Sequence, residues 1–404
     1  MIKKLIFILF ILPCFLQAQS IKTIQLRPLD ENQFSAIVPL GTVLNLSFDD
    51  LDADSKTYQY KIELMSFDWK PTNLASSQYI NGFDQNEILD YQNSFNTLQS
   101  YTHYSVNIPN ENTRITKSGN YLISVLDEDD NLVFSRRATF YENSTTVGVA
   151  VYRSRNTKTI NQQQTVQFSI NHPGININNP NQEIKVALLQ NDNWNTVITD
   201  LEPNFFKPNQ LVYNYTLKTN FWGGNEFLNF DNKAIQNTSV TVAKTERKDV
   251  FHNYLHLQEE RNGKPYTYNP DINGQFIIRT IDNSNSKTEA DYAKVHFYLE
   301  SYEAYQNKDV YVYGAFNNFQ LLPENKMEYN KKEEIYKATI LLKQGFYNYS
   351  FVTKDYANNI NLTEVDGSFF ETENNYTVII YYKPFGGLYH KAIGVGNGTF
   401  NQNR

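Results

Sequence analysis

Alternation of apolar and polar side chains constrains the first third of the chain more than any other feature. Within residues 57–64, tyrosine, isoleucine and leucine occupy every second position and polar residues fill the others. The same period of two returns at residues 104–108 and 121–125, and the acidic turn 127–131 then reverses the chain. A period of two is that of a β-strand with one buried face and one wet face. The pattern predicts an antiparallel β-sandwich.

The short motif Ser118-Gly119-Asn120-Tyr121 supports this interpretation. In immunoglobulin-type sandwiches, a tyrosine near the start of a late strand bonds back to the upstream backbone. Ile123 occupies the position at which an antibody domain carries its second cysteine, so the predicted sandwich is held by packing and not by a disulfide.

Length and composition extend the prediction to the whole chain, which has 404 residues with 29 Tyr and 27 Phe beside 3 Met and 3 Trp. Tyrosine and phenylalanine favour strands, and a domain has roughly 150 residues. We expect an all-β protein of tandem immunoglobulin-like and early-set antiparallel β-sandwich domains. The predicted domains are 20–143, 144–285 and 286–404, the last ending in a Gly-rich tail.

The first 19 residues have the pattern of a secretory signal peptide. Lys3 and Lys4 precede an apolar run, and small residues follow it around Ala18. Cys14 is the single cysteine of the chain, so cleavage near Ala18 leaves no thiol for a disulfide or a metal site. The alternative is a lipoprotein acylated at Cys14, although Pro13 occupies a position where a small residue is needed. We expect the mature protein outside the cytoplasm.

The net charge and the hydropathy of the chain argue against nucleic-acid binding and against a membrane-spanning segment. The formal net charge is -7 and no long Lys/Arg run is present, so we expect no binding to nucleic acid. Beyond the signal segment, no apolar run approaches the roughly 20 residues that a membrane helix needs. The mature chain is therefore not predicted to span a membrane.

The sequence lacks a recognisable catalytic motif, and we expect no enzyme, no metal and no cofactor. The Asp-rich segment 49–54 has the order of a calcium loop at its start, but Ser55 and Lys61 occupy positions that need Gly and Glu. We interpret this segment as a solvated turn. His252 and His256 are interpreted as ordinary edge histidines, since no third ligand is spaced nearby. A sandwich enzyme would require a carboxyl pair across a cleft.

Residues 310–319 and 347–351 resemble the early-set sandwich of glycogen- and starch-binding modules, which carry a similar V-x-V-x-G-x-F-N-N-W run and a later G-x-Y-x-Y-x-F strand. Phe319 replaces the tryptophan of that run. This resemblance implies an alternative function, a periplasmic glycan-binding protein acting through Tyr313 and Phe319.

A more specific resemblance covers nearly all of the mature chain. Phrases similar to the plug protein family of the type IX secretion system occur in series: Leu46-Ser47-Phe48-Asp49-Asp50-Leu51, Phe67-Asp68-Trp69-Lys70-Pro71, Tyr79-Ile80-Asn81-Gly82-Phe83, Ser94-Phe95-Asn96-Thr97, Tyr101-Thr102-His103-Tyr104, Ser118-Gly119-Asn120-Tyr121, Asp271-Ile272-Asn273-Gly274, Ala290-Asp291-Tyr292 and Ile393-Gly394-Val395-Gly396. The resemblance implies a periplasmic protein at the inner face of the outer membrane. It would close the periplasmic mouth of the outer-membrane translocon barrel, of the SprA type, and alternate there with a cargo shuttle protein.

The docking surface implied by this role is predicted in the loop region 67–83, the most aromatic part of the first domain. Trp69, Tyr79, Asn81 and Phe83 are the predicted partner-binding residues. The alternative is that the aromatic residues pack beneath the long loop. Loops at one end of a rigid sandwich commonly carry binding function, which favours this region.

Overall fold

The computed structural model describes residues 20–30 and 32–400, and its elements are almost all β-strands in antiparallel sheets. The predicted all-β sandwich class is confirmed. The predicted signal segment 1–19, with Cys14, lies outside the described residues. No helix in the described part of the chain is both long and apolar enough to cross a membrane.

The first sandwich contains the alternating segments on which its prediction depended. Its strands are β1 (Ile21–Pro28), β2 (Ile37–Pro39), β3 (Leu44–Asp50), β4 (Gln59–Met65), β5 (Ile80–Gly82), β6 (Gln85–Glu87), β7 (Asp90–Asn93), β8 (Thr102–Ile108), β9 (Thr113–Ile115), β10 (Gly119–Leu126) and β11 (Leu132–Tyr141). One sheet has the order β1-β3-β8-β7 and the other β2-β11-β10-β4-β6, while β5 and β9 form a small pair. Tyr60, Ile62 and Leu64 of β4 are buried in the core with Tyr121 and Ile123 of β10.

The Ser-Gly-Asn-Tyr motif forms the predicted backbone contact. Tyr121 is fully buried and donates its hydroxyl proton to the carbonyl oxygen of Lys117, with the two oxygens 2.7 Å apart. Tyr347, in another sandwich, makes the same contact with the carbonyl of Lys343 at 2.6 Å. The two sequences share the order Lys-x-Gly-x-Tyr. Two sandwiches of this chain therefore use the same tyrosine corner.

The second sandwich begins after residue 145. Its first elements are β12 (Thr146–Arg153), β13 (Gln163–Asn171), the short helix α1 (Pro180–Glu183), β14 (Ile184–Gln190), β15 (Phe205–Lys207), β16 (Gln210–Tyr213) and β17 (Asn220–Trp222). One sheet has the order β12-β13-β16-β15, with β17 also paired to β13. Single 3-10 turns occur at Ser76–Gln78, Trp194–Thr196, Ala315–Asn317 and Pro323–Asn325.

The third sandwich follows next in the chain, before the second is complete. Its strands are β18 (Leu228–Asp231), β19 (Val242–Arg247), β20 (Phe251–Leu255), β21 (Phe276–Ile278), β22 (Tyr292–Glu300), β23 (Lys308–Tyr313), β24 (Lys326–Asn330), β25 (Ile335–Lys343), β26 (Gly345–Asp355) and β27 (Ile360–Asn361). They form one curved sheet around a core that includes Phe230, Phe297, Tyr347, Tyr349 and Phe351.

The last two strands, β28 (Asn374–Tyr382) and β29 (Lys391–Phe400), complete the second sandwich. β14 pairs with β28 from Ile184↔Tyr382 onward, and β28 pairs with β29. The third sandwich is therefore inserted into the second, and strand pairing does not follow the predicted division between residues 285 and 286. Residues 281–290, between β21 and β22, form a loop of the third sandwich.

The Gly-rich ending predicted as a tail is the strand β29 as far as Phe400. Its glycines let the facing sheet approach closely. A Cβ on Gly396 would lie 2.6 Å from the carbonyl oxygen of Val147, and one on Gly398 would lie 2.7 Å from a methyl of Val149. Glycine at these alternate positions is required for β12 to pack on β29.

Candidate docking surface

The four residues predicted to bind a partner occupy three different environments. Tyr79 is a core residue of the first sandwich, 5% exposed, beside Tyr121. Trp69 is half-buried and contacts another sandwich. Asn81 and Phe83 are exposed, and Phe83 retains 67% of its accessible surface. Of the predicted set, only Asn81 and Phe83 are exposed.

Trp69 connects the first sandwich to the second. Its ring lies edge-on to Trp194 with the centroids 4.9 Å apart, and the guanidinium of Arg137 lies 4.8 Å from the Trp69 ring centre. Nearby, Phe67 contacts His390 and Tyr381. The aromatic residues at the start of the 67–83 region therefore form an internal contact between sandwiches.

Phe83 is held by its backbone and not by its ring. Its N–H donates to the carbonyl of Asn112 at 2.9 Å, and its carbonyl accepts from the hydroxyl of Thr113 at 2.7 Å. Gly82 beside it has φ = 104°, a conformation that side chains with a Cβ rarely adopt. A fixed backbone that presents an exposed ring suits a binding contact, since little side-chain entropy is lost on docking.

Phe83 belongs to a group of exposed apolar side chains, which we call the rim patch. Its members are between 46% and 73% exposed: Leu29, Phe83, Leu89, Tyr91 and Phe95. Three of them lie in or beside the edge strand β7, whose four residues are all exposed. An edge strand that is exposed on both faces and carries apolar residues is a recognised interaction feature.

The sequence analysis missed Leu29, Leu89 and Tyr91. Leu89 and Tyr91 lie in residues 88–95, where the period of two breaks down. Apolar residues outside any alternation are the signal that could have identified them.

The rim patch borders an open pocket of ≈ 480 Å³ that Leu29 and Leu89 line together with Lys287 of the third sandwich. Glu87 and Asp90 lie on its border and are exposed. The N–H of Phe95 donates to the carbonyl of Thr288 at 2.9 Å, which fixes this end of the patch to the third sandwich. The rim patch therefore lies on the first sandwich, with acidic side chains and the third sandwich beside it.

Tyr313 and Phe319, the residues of the glycan-binding alternative, lie in a different place. They are 4% and 8% exposed, and their rings are 5.2 Å apart. Both line a pocket of ≈ 270 Å³ that Trp222 of the second sandwich also lines. The hydroxyl of Tyr313 accepts from the amide of Asn193 at 2.8 Å. The two rings serve mainly as packing between sandwiches.

A buried ionic cluster joins the first sandwich to the third. Asp49 and Lys343 are 0% and 1% exposed, and their carboxylate oxygen and ammonium nitrogen are 2.7 Å apart. Tyr292 donates to the same oxygen at 2.7 Å, and a ring nitrogen of His103 lies 2.6 Å from the other. The predicted solvated turn is thus wrong for Asp49, and also for Asp50, which is fully buried and accepts from Tyr58.

Asp49 and Lys343 both have a lowered pKa in this cluster, but for different reasons. Burial by itself raises the pKa of Asp49, but the Lys343 ammonium and His103 outweigh it and hold that pKa below its usual range. For Lys343, burial outweighs the attraction to Asp49, and its pKa is lowered. The difference follows from the contacts, since Asp49 has three partners and Lys343 has one carboxylate.

Metal-binding side chains are not grouped anywhere in the described ranges: no three His, Cys, Asp or Glu residues could hold one ion. His252, predicted as an edge histidine, has a ring nitrogen 2.9 Å from one of His296 on the adjacent strand. Its other ring nitrogen is buried and lies 3.6 Å from a carboxylate oxygen of Asp249.

Taken together, these observations define a class: a protein of three joined β-sandwiches that exposes several large apolar side chains on its first sandwich. Residues 21–142 match the family model described as the type 9 secretion system plug protein 1st domain. Over these residues the chain is similar to the type IX secretion plug family, and the resemblance predicted from the sequence is confirmed there. The later phrases of that resemblance lie beyond the matched residues and stay a prediction, as does the starch-binding-like module.

A solved structure resembles the chain over nearly its whole length. It is the crystal structure of a hypothetical protein from Parabacteroides merdae at 2.30 Å resolution, with a TM-score of 0.90 and 29% sequence identity. The alignment covers 95% of this chain and 98% of that one. No curated protein matches the chain. The family match gives the chain a role related to type IX secretion.

Proposed function

We propose that the protein is a periplasmic plug that binds the type IX outer-membrane translocon, of the SprA type, and closes its periplasmic mouth when no cargo shuttle is engaged. The match of residues 21–142 to the plug first domain carries the proposal. The rim patch on that same domain supports it, because it offers the apolar contact area that a reversible protein interface requires.

The joints between the sandwiches fit this role. A stopper for a pore wide enough to pass folded cargo must cover a large area without bending. The Asp49–Lys343 cluster and the Trp69–Trp194 contact each tie the first sandwich to another part of the chain. Release of the plug requires that it bind the cargo-engaged barrel less tightly than the empty barrel. Each tenfold change in occupancy corresponds to a difference of about 1.4 kcal/mol in binding free energy.

Affinity purification from the native bacterium tests the proposal. The tagged protein is expected to recover the barrel, and more of it from cells that lack the shuttle. A variant with Phe83→Asp and Leu89→Asp is expected to lose this recovery, because it places charge in the rim patch. Leu217→Asp is the matched control, since Leu217 is 62% exposed but lies on the second sandwich.

Absence of the barrel in every purification, including those from cells without the shuttle, would rule the plug role out. An equal loss with Leu217→Asp would assign the effect to surface charge and not to the rim patch. Deletion of the gene is also expected to admit large antibiotics through the outer membrane when shuttle engagement is blocked.

The glycan-binding alternative receives less support. Tyr313 and Phe319 expose too little ring surface to form a stacking platform. Retention of the protein on a polysaccharide column, weakened by Phe319→Ala, would nevertheless favour it over the plug role.

A further inference from the structure

A second surface, distinct from the rim patch, lies where the three sandwiches meet. It is an open cleft of ≈ 350 Å³, which we call the junction cleft. Residues 24–27 of β1 and 135–137 of β11 form one side. Residues 192–195 of the second sandwich and 318–320 of the third form the other.

Two arginines of β11 line this cleft without a carboxylate partner. Arg136 is half-buried and donates one N–H to the carbonyl of Ser135 at 2.9 Å. Among residues 20–30 and 32–400, no Asp or Glu lies within ion-pair distance of Arg136 or Arg137. Burial lowers the pKa of Arg136 to about 10. A guanidinium that is partly desolvated and unpaired attracts an anion.

Arg137 is held in place by aromatic rings. Its guanidinium carbon lies 4.8 Å from the ring centre of Trp69 and 5.8 Å from that of Trp194. Contact with these two indole rings restrains the guanidinium, and its N–H groups can still bind an acceptor.

The cleft also lies along unpaired strand edges. β1 ends one sheet of the first sandwich and β2 ends the other, and residues of both line the cleft. In the described part of the chain, no strand pairs with the outer edge of β1. An open edge beside a groove is the feature to which an extended segment adds as a further strand.

Asp192 restricts the charge of the ligand. Its carboxyl lines the same cleft, and burial raises its pKa although it accepts a hydrogen bond from Thr377. When it is ionised, this group repels a dianionic phosphate more strongly than a carboxylate with its single charge, and a carboxylate can form two hydrogen bonds with the planar fork of an arginine.

We propose that the junction cleft binds an extended protein segment that pairs with the edge of β1 and places an acidic side chain on Arg136. The apolar lining, which includes Leu26, Ile37 and Trp194, would contact the other side chains of that segment. The proposal for this cleft does not rest on the plug role. Its test requires only the purified protein.

Calorimetric titration of the purified protein with synthetic peptides tests the proposal. The probe is a capped eight-residue peptide of alternating valine and glutamate, and its match replaces each glutamate by glutamine. The glutamate peptide is expected to bind at least about tenfold more tightly at low salt, as charge-assisted hydrogen bonds imply. Arg136→Gln is expected to abolish this preference.

Arg114→Gln is the control, since Arg114 is exposed on β9, away from the cleft. If Arg136→Gln fails to fold, Arg136→Lys keeps the charge but not the planar fork and is expected to weaken binding severalfold. Equal binding of both peptides, no binding of either, or unchanged binding by Arg136→Gln would each overturn the proposal. Inorganic phosphate that binds at the same site more tightly than the glutamate peptide would also overturn it, in favour of a phosphate site.

Discussion

The carboxylate of Asp49 and the ammonium of Lys343 are 2.7 Å apart and fully buried, although 294 positions separate them in the chain. Tyr101 adds to this contact, since its ring centre lies 4.0 Å from the Lys343 ammonium. The pair joins strand β3 of the first sandwich to strand β25 of the third. The stability of a charge buried between two sandwiches depends on its partner of opposite charge. Several expected properties of the molecule follow from such contacts.

Asp49→Asn is expected to lower the free energy of unfolding by about 3–5 kcal/mol, because it leaves the ammonium of Lys343 buried without a counter-ion. Chemical denaturation followed by fluorescence measures the effect. Glu324→Gln is the control, since the Lys22–Glu324 pair also joins two sandwiches but is exposed, and its loss is expected to cost at most about 1 kcal/mol. Equal effects of the two changes would contradict a dominant role for the buried pair.

Stability is expected to fall in acid because of Asp49. Its pKa is below the usual 3.8 in the folded protein, so its contribution is fully present above that value and is lost as the pH falls through the folded pKa. Melting temperatures between about pH 2 and pH 6 measure this loss. The Asp49→Asn variant is expected to show a shallower decline, and an identical decline would contradict the assignment.

Asp271 is expected to give the opposite dependence in another pH range. Burial raises its pKa from 3.8 to about 7, although the N–H groups of Phe227 and Asn273 donate to its carboxyl. A raised carboxyl pKa stabilises the fold fully below the unfolded value, and this stabilisation is lost as the pH rises towards the folded value. Asp271→Asn is therefore expected to remove a decline in stability between about pH 4 and 7. A decline of the same size in the variant would exclude Asp271 as its source.

The two tyrosine corners are expected to contribute similarly. Tyr121→Phe and Tyr347→Phe each remove a hydroxyl that satisfies a backbone carbonyl, and each is expected to cost about 1 kcal/mol of unfolding free energy. Tyr302→Phe is the control, because Tyr302 is 78% exposed. A loss with Tyr302→Phe as large as with the other two would show that the method does not resolve the corner contact.

Trp69 and Phe83 are expected to separate stability from binding. Trp69→Ala removes the contact with Trp194 and Arg137 and is expected to lower the melting temperature by several degrees, roughly as a loss of 1–3 kcal/mol implies. Phe83→Ala is expected to leave the melting temperature unchanged, since its ring is mostly exposed. In purifications of the barrel, Phe83→Ala is the change expected to weaken recovery. A destabilising Phe83→Ala would show instead that the ring packs internally.

The sequence by itself determined the strands and their faces in the first sandwich. Tyr60, Ile62 and Leu64 were assigned to one face by their spacing alone, because side chains in a strand alternate between faces whatever the strand packs against. The Gly-x-Tyr motif likewise identified a corner, since its hydrogen bond closes over only four residues. The family phrases within residues 21–142 connected this sandwich to type IX secretion.

Tertiary structure decided which aromatic residues are exposed and how the sandwiches join. Trp69 and Phe83 come from one aromatic region of the sequence. Trp194 packs against Trp69, whereas Phe83 remains exposed. The pairing of β14 with β28 and the burial of Asp49 by Lys343 both depend on residues far away in the chain. The alternation within a short segment predicts which face of a strand is buried. Whether a charged or aromatic side chain is buried depends on the distant residues that tertiary packing places against it.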